Sequence, residues 1–95
     1  MYNQSMIQVR IPTLLRKLTD NKDLVACAGA TVGEVLDDLE KQHSGIQERI
    51  YDKDKQLRQF VLVYLNDEDV RFAQGKTTTV KDGDEISIIP AISGG

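Results

Sequence analysis

The chain has one cysteine, one histidine, two prolines and no tryptophan in its 95 residues, and aromatic side chains make up only 5% of it. A single cysteine excludes an internal disulfide framework, and one cysteine with one histidine cannot supply a Cys-His-Asp triad or a zinc set of ordinary composition. No apolar run approaches the ~20 residues that span a bilayer, so no membrane role is expected. The opening Met1-Tyr2-Asn3-Gln4-Ser5 has neither the basic nor the apolar segment of a secretory signal, and the expected compartment is the cytoplasm. Positive charge is also in short supply: 12 Lys and Arg against 15 Asp and Glu give a formal charge of -3. With the cations scattered among acids, nucleic-acid binding is not expected, and charge steering favours a basic partner surface. Gly29 and Gly33 do not make a phosphate cradle. Asp52-Lys53-Asp54 lacks the glycine and later glutamate of a calcium loop, and Asp67-Glu68-Asp69 and Asp82-Gly83-Asp84 read as turn acids. These absences leave no group for catalysis, metal or cofactor binding, and the chain is not expected to be an enzyme.

What is present describes one small domain, with 40% hydrophobic and 28% charged residues. Ile7, Val9 and Ile11 alternate with Gln8 and Arg10, the period of a strand with one buried face, and Pro12 ends it. Thr13 to Lys22 has leucines but no clean period and reads as a long loop with a helical turn. Leu24 to Cys27 suits a second strand in a hairpin with the first. Thr31-Val32-Gly33-Glu34 is a capping-box arrangement, so a helix is expected from Thr31, with Val32, Val35, Leu36 and Leu39 on one face and Gly45 as its left-handed cap. Gly45 to Arg58 reads as a connection with a short helical piece around Ile46, Ile50 and Tyr51. Phe60 to Leu65 is apolar throughout, a strand whose second face is covered or reserved for a partner. Asn66 to Asp69 reads as a turn, Val70 to Phe72 as a short return strand, Lys81 to Asp84 as a turn and Glu85 to Pro90 as the final strand. The expected class is α+β, a mixed sheet of four to five strands with one main helix packed on one face.

That last strand runs into Pro90-Ala91-Ile92-Ser93-Gly94-Gly95. A glycine terminus has no Cβ, so it can thread a narrow channel and present its carboxylate to another enzyme's ATP. A frayed end or an expression remnant explains the two glycines as readily when they are taken alone.

The order of elements, with a Gly-Gly tail after the last strand, resembles the ubiquitin-like β-grasp fold. Asp82-Gly83-Asp84 leading through Glu85-Ile86-Ser87-Ile88-Ile89 to Pro90-Ala91-Ile92-Ser93-Gly94-Gly95 resembles the terminal pattern of the MoaD/ThiS sulfur carriers. Ile11-Pro12-Thr13-Leu14-Leu15-Arg16, Ser44-Gly45-Ile46 and Tyr64 through Phe72 look closest to the CysO-type carriers of cysteine biosynthesis. The likeness covers a single domain from Met6 to Gly95, and residues 1–5 are expected to be a flexible N-terminus without a role. The resemblance implies a carrier and substrate that is monomeric when free. An E1-like enzyme of the MoeB/ThiF class would adenylate the Gly95 carboxylate and convert it to a thiocarboxylate. In the CysO branch, this sulfur would attack an aminoacrylate on a PLP-dependent cysteine synthase, and a zinc-dependent peptidase would release the new cysteine. ATP, PLP and zinc would then belong to partners. Carriers of molybdopterin or thiamine synthesis use the same tail, and a noncovalent β-grasp interaction module is the reading from another class.

Three further residue groups bear on these readings. Cys27, alone and apolar-flanked, reads as a buried structural thiol rather than a reactive one. His43, at the expected helix end, suits the negative end of the dipole rather than catalysis. If Val61, Val63 and Leu65 face the helix, alternation sends Phe60, Leu62 and Tyr64 to the other side, and Ile86 and Ile88 in the core send Ser87 and Ile89 there too. Leu62, Tyr64 and Ile89 are therefore the expected docking patch beside the tail, with Ile92 and Gly94 entering the partner. The competing reading is that a loop covers this face and makes it core.

Overall fold

The computed structural model describes residues 5–90. Five strands form one sheet in the order β2-β1-β5-β3-β4: β1 Ser5–Arg10, β2 Leu24–Gly29, β3 Val61–Leu65, β4 Glu68–Asp69 and β5 Glu85–Pro90. β1 and β5 lie side by side and parallel at the centre, while the β1–β2, β3–β5 and β3–β4 pairs are antiparallel. The main helix α1, Val32–Gln42, packs on one face of this mixed sheet, as the apolar spacing predicts. Its stripe Val32, Val35, Leu36 and Leu39 is buried with Ile7, Val9, Val25, Cys27, Val63, Ile86 and Ile88 of the strands. Alternation in β1 and β5 therefore sorts side chains as expected, with Ile11 also buried just past the end of β1.

The helix start is secured by two side chains. Thr31 accepts a hydrogen bond from the Glu34 backbone N–H at 3.2 Å, and Glu34 accepts one from the Ala30 N–H at 2.9 Å. The glutamate thus reaches one residue further back than the N-cap, satisfying the donor that leads into the helix. Two side chains of α1 also shield an open edge of the sheet: Asp38 accepts from the Ala28 N–H, and Gln42 donates to the Ala26 carbonyl, both at 2.9 Å. Without them β2 would present free ladder groups at that edge.

Several boundaries differ from the sequence reading. β1 begins at Ser5, one residue ahead of the expected domain start, and β2 runs two residues past Cys27 to Gly29. The helical turn expected in the leucine-rich connection is found as a 3-10 segment, Thr13–Leu18, and the short helical piece expected in the charged connection as α2, Gln47–Ile50. Gly45 is left-handed (φ 100°), but α1 ends earlier, at Gln42 with His43 as C-cap. The Gly45 N–H is instead taken by the Glu40 carboxylate at 2.9 Å, so the glycine shapes the turn after the helix rather than capping it. Phe60 precedes β3 and is exposed.

The expected return strand Val70–Phe72 is a 3-10 turn, and β4 is the two residues before it. Asn66, left-handed at φ 56°, opens a two-residue turn that pairs Leu65 with Glu68. Asp69 then accepts from the Arg71 N–H at 2.8 Å, which caps the 3-10 turn and draws Val70 into the core.

The Asp82-Gly83-Asp84 motif joins the starts of the two central strands. Asp82 accepts from the Met6 N–H at 2.9 Å, Gly83 sits at φ 91° and donates its N–H to the Met6 carbonyl, and Asp84 accepts from the Lys81 N–H at 2.8 Å. The motif therefore fixes where β5 begins beside β1, and hence where it ends.

Candidate functional site

The candidate site is built by β5 and its neighbour β3. In their register Leu62 pairs with Ile89, Tyr64 with Ser87 and Val61 with Pro90. Val63, Ile86 and Ile88 are buried beneath α1, so alternation turns Leu62, Tyr64, Ser87 and Ile89 to the opposite face. Ile89 is 41% exposed there, and Leu62 and Tyr64 are half-buried. The structure thus brings Leu62, Tyr64 and Ile89 together on the outer face, at the end of the sheet where β5 stops. The remaining expected site residues, Ile92, Gly94 and Gly95, lie outside the described residues. Across the same face, Arg10 of β1 donates from Nε to Glu85 Oε2 at 2.8 Å, so the apolar cluster is bordered by an ion pair.

Neither candidate reactive side chain belongs to this face. Cys27 is fully buried under α1, where desolvation, with a smaller contribution from Asp38, pushes its thiol up from an ordinary 9.0 to about 12. Gln42 donates to its sulfur at 3.7 Å. At neutral pH such a group is a protonated packing residue, not a nucleophile. His43 is half-buried at the end of α1, and its backbone N–H donates to the Leu39 carbonyl at 2.8 Å. Among the described residues there is no cluster of metal-binding side chains and no helix long and apolar enough to cross a membrane.

Sequence reading did not find a second feature at the same end of the molecule. On the α1 side of the sheet, Leu15, Leu18, Val61 and Ile88 floor an open apolar groove of about 350 Å³, with Leu14 and Pro90 at its edges and Lys17 and Arg49 on its rim. Its residues come from four separated stretches of chain, so no local pattern announces it.

The comparisons with known proteins agree along nearly the whole chain. The model of the ThiS family matches residues 9–95. The sulfur carrier protein CysO of Mycobacterium tuberculosis is 46% identical over 91 residues, covering 94% of this chain and 98% of that protein. A putative sulfur carrier protein of Archaeoglobus fulgidus is 35% identical, with the same coverage. Among solved structures, the Amycolatopsis orientalis BexX/CysO complex contains a chain that superposes with a TM-score of 0.87 at 48% identity, covering 94% of this chain and 99% of that one. These relatives are carriers rather than enzymes, which bears out the expectation from the missing catalytic groups, and their likeness bears out the β-grasp reading of the sheet and helix. The chain belongs to the ThiS family and is, over nearly its full length, similar to the CysO-type sulfur carriers.

Proposed function

We propose that the chain is a sulfur carrier acting through the carboxylate of Gly95 in the cytoplasm, as a monomer when free. A carboxylate is a poor electrophile until one oxygen becomes a good leaving group. Adenylation by an E1-like enzyme of the MoeB/ThiF class meets that need: the carboxylate attacks the α-phosphorus of ATP, pyrophosphate leaves, and hydrosulfide then displaces AMP from the acyl carbon. The resulting thiocarboxylate is a sulfur nucleophile attached to a protein surface. The CysO likeness favours a PLP-dependent cysteine synthase as the acceptor, with a zinc-dependent peptidase releasing cysteine from Gly95. The chemistry of PLP and zinc resides in those partners; this chain contributes the nucleophile and the surface that orients it.

The observation that carries this reading is the family match extending through residue 95, beyond the end of a strand whose position is set by its own motif. Beside that strand end, Leu62, Tyr64 and Ile89 provide an apolar face suited to holding a partner while the tail enters it. Intact mass spectrometry of the protein from its native host tests the reading. The expected species is one in which sulfur replaces a terminal carboxyl oxygen, or one extended by cysteine. Finding only the unmodified chain under conditions where the host synthesises cysteine would count against it.

A further inference from the structure

The outer face is one side of the strand end from which the tail departs; the groove on the α1 side is the other. Leu15, Leu18, Val61 and Ile88 floor it, the edge residue Leu14 is 62% exposed, and Pro90 forms part of its wall. Both features border the strand end at Pro90, so each offers a surface to a partner that approaches the tail from that end. Lys17 and Arg49 on the rim have no carboxylate partner among the described residues, and no acidic side chain lines the groove. That local sign opposes the formal charge of -3 carried by the chain as a whole.

We infer that this groove is a second docking site, and that it takes an apolar side chain carried on an acidic segment of the enzyme that receives the tail. The inference rests on the carrier reading for its partner, while the chemistry of the occupant comes from the groove. The apolar floor needs a hydrophobic side chain to displace water, and the two rim cations favour carboxylates flanking it. A basic segment, which the overall charge of the chain would otherwise attract, is repelled here. The two faces would thus divide the work. Leu62, Tyr64 and Ile89 supply mainly apolar contact, and the groove discriminates partners by the sign of charge flanking the side chain it takes.

Two experiments on the full chain separate this inference from the reading it rests on. In the first, methyl NMR follows addition of a blocked synthetic peptide with leucine between aspartates, and then its counterpart with lysines. The expected result is that the acidic peptide moves the methyl signals of Leu14, Leu15, Leu18 and Val61, that the lysine peptide does not, and that a Lys17→Glu/Arg49→Glu protein loses the response. Equal responses to both peptides, no response, or shifts confined to Leu62 and Ile89 would overturn it. So would groove signals that depend on protein concentration, which would assign the groove to a second copy. Groove signals that move when residues 91–95 are deleted, with the peptide response gained only then, would assign it to the chain's own tail and likewise overturn it. The second experiment measures ATP–pyrophosphate exchange by the adenylating enzyme. Lys17→Glu/Arg49→Glu should raise KM on the order of ten-fold and flatten its dependence on salt, as expected for rim charges that steer association. Unchanged KM with a normal wild-type rate would overturn the docking site alone. Absence of exchange with the wild-type chain would overturn the carrier reading, leaving the peptide experiment to decide the groove.

Discussion

Leu62 and Ile89 are direct cross-strand partners on the face of the sheet turned away from α1, one residue before β5 ends at Pro90. Such a pair buries little within the chain, since Ile89 remains 41% exposed, and it is held by the β3–β5 ladder alone, beyond the reach of the β1 and β4 pairings. On the proposed carrier function, an apolar pair at this strand end would orient the partner that receives the tail.

Ile89→Asp and Tyr64→Asp should each keep the fold and weaken binding to the adenylating enzyme. The expected loss is about 1–3 kcal/mol, the range for a central interface contact. Calorimetric titration together with thermal unfolding checks this. A large fall in melting temperature without a folded, weakly binding species would instead assign these side chains to the core.

Adding one residue after Gly95, or deleting Gly95, should abolish ATP–pyrophosphate exchange while leaving the thermal unfolding midpoint unchanged. The reacting carboxylate would be displaced, whereas the described core ends with Ile88. Exchange at the wild-type rate on the extended chain would sink the carrier mechanism.

These two predictions rest on unequal shares of legible sequence. Strict alternation at Ile7, Val9 and Ile11, and at Ile86 and Ile88, revealed the central strands because each has one buried and one open face. The same alternation placed Leu62, Tyr64 and Ile89 together, since register follows once the buried face is known. Val70-Arg71-Phe72 misled because an apolar-polar-apolar triplet fits a strand as well as a capped 3-10 turn. The decisive hydrogen bond, from the Arg71 N–H to Asp69, has no periodic signature. Phe72 ends 84% exposed as a result. The groove was illegible for another reason: Leu15 and Leu18 share one face of a 3-10 segment too short for a periodic signal, and their companions Val61 and Ile88 are more than forty positions away. Only the folded chain brings them together.

Gly29→Ala should be among the most damaging single-atom additions available. A Cβ at Gly29 would lie 2.8 Å from the Val35 backbone nitrogen and 3.0 Å from the Glu34 carbonyl carbon, so the first turn of α1 would have to move away from β2. Backbone cannot rotate aside as a side chain can. The cost should lie toward the upper end of the ~1–3 kcal/mol typical of overpacking, measured by urea unfolding. A change below about 0.5 kcal/mol, the usual span of a surface substitution, would show that α1 does not approach β2 this closely.

Alkaline pH should destabilise the protein from about pH 9 upward, where the unfolded chain begins to release protons that the folded chain retains, and the reason lies in two buried acids. Desolvation raises the Cys27 thiol from 9.0 to about 12 and the Tyr51 phenol from 10.0 to about 12, with smaller contributions from Asp38 and Asp37 respectively. Both folded values lie above the unfolded ones, so the folded chain holds protons that the unfolded chain releases. Their contribution to stability is fully present below pH 9 and is lost as pH rises toward 12. Each group adds a slope of up to ~1.4 kcal/mol per pH unit within its window. Cys27→Ser should remove the earlier part of the fall, at the cost of about 1–3 kcal/mol at neutral pH if the hydroxyl finds no partner, while still supporting sulfur transfer. Tyr51→Phe should remove the later part and cost little at neutral pH, because the Tyr51 hydroxyl is buried without a hydrogen-bond partner among the described residues. Urea unfolding from pH about 8 to about 11 distinguishes the two, since each variant flattens a different part of the curve. Parallel curves for wild type and Cys27→Ser would show that the thiol titrates normally, and loss of sulfur transfer in a folded Cys27→Ser protein would return this buried residue to the list of reactive ones.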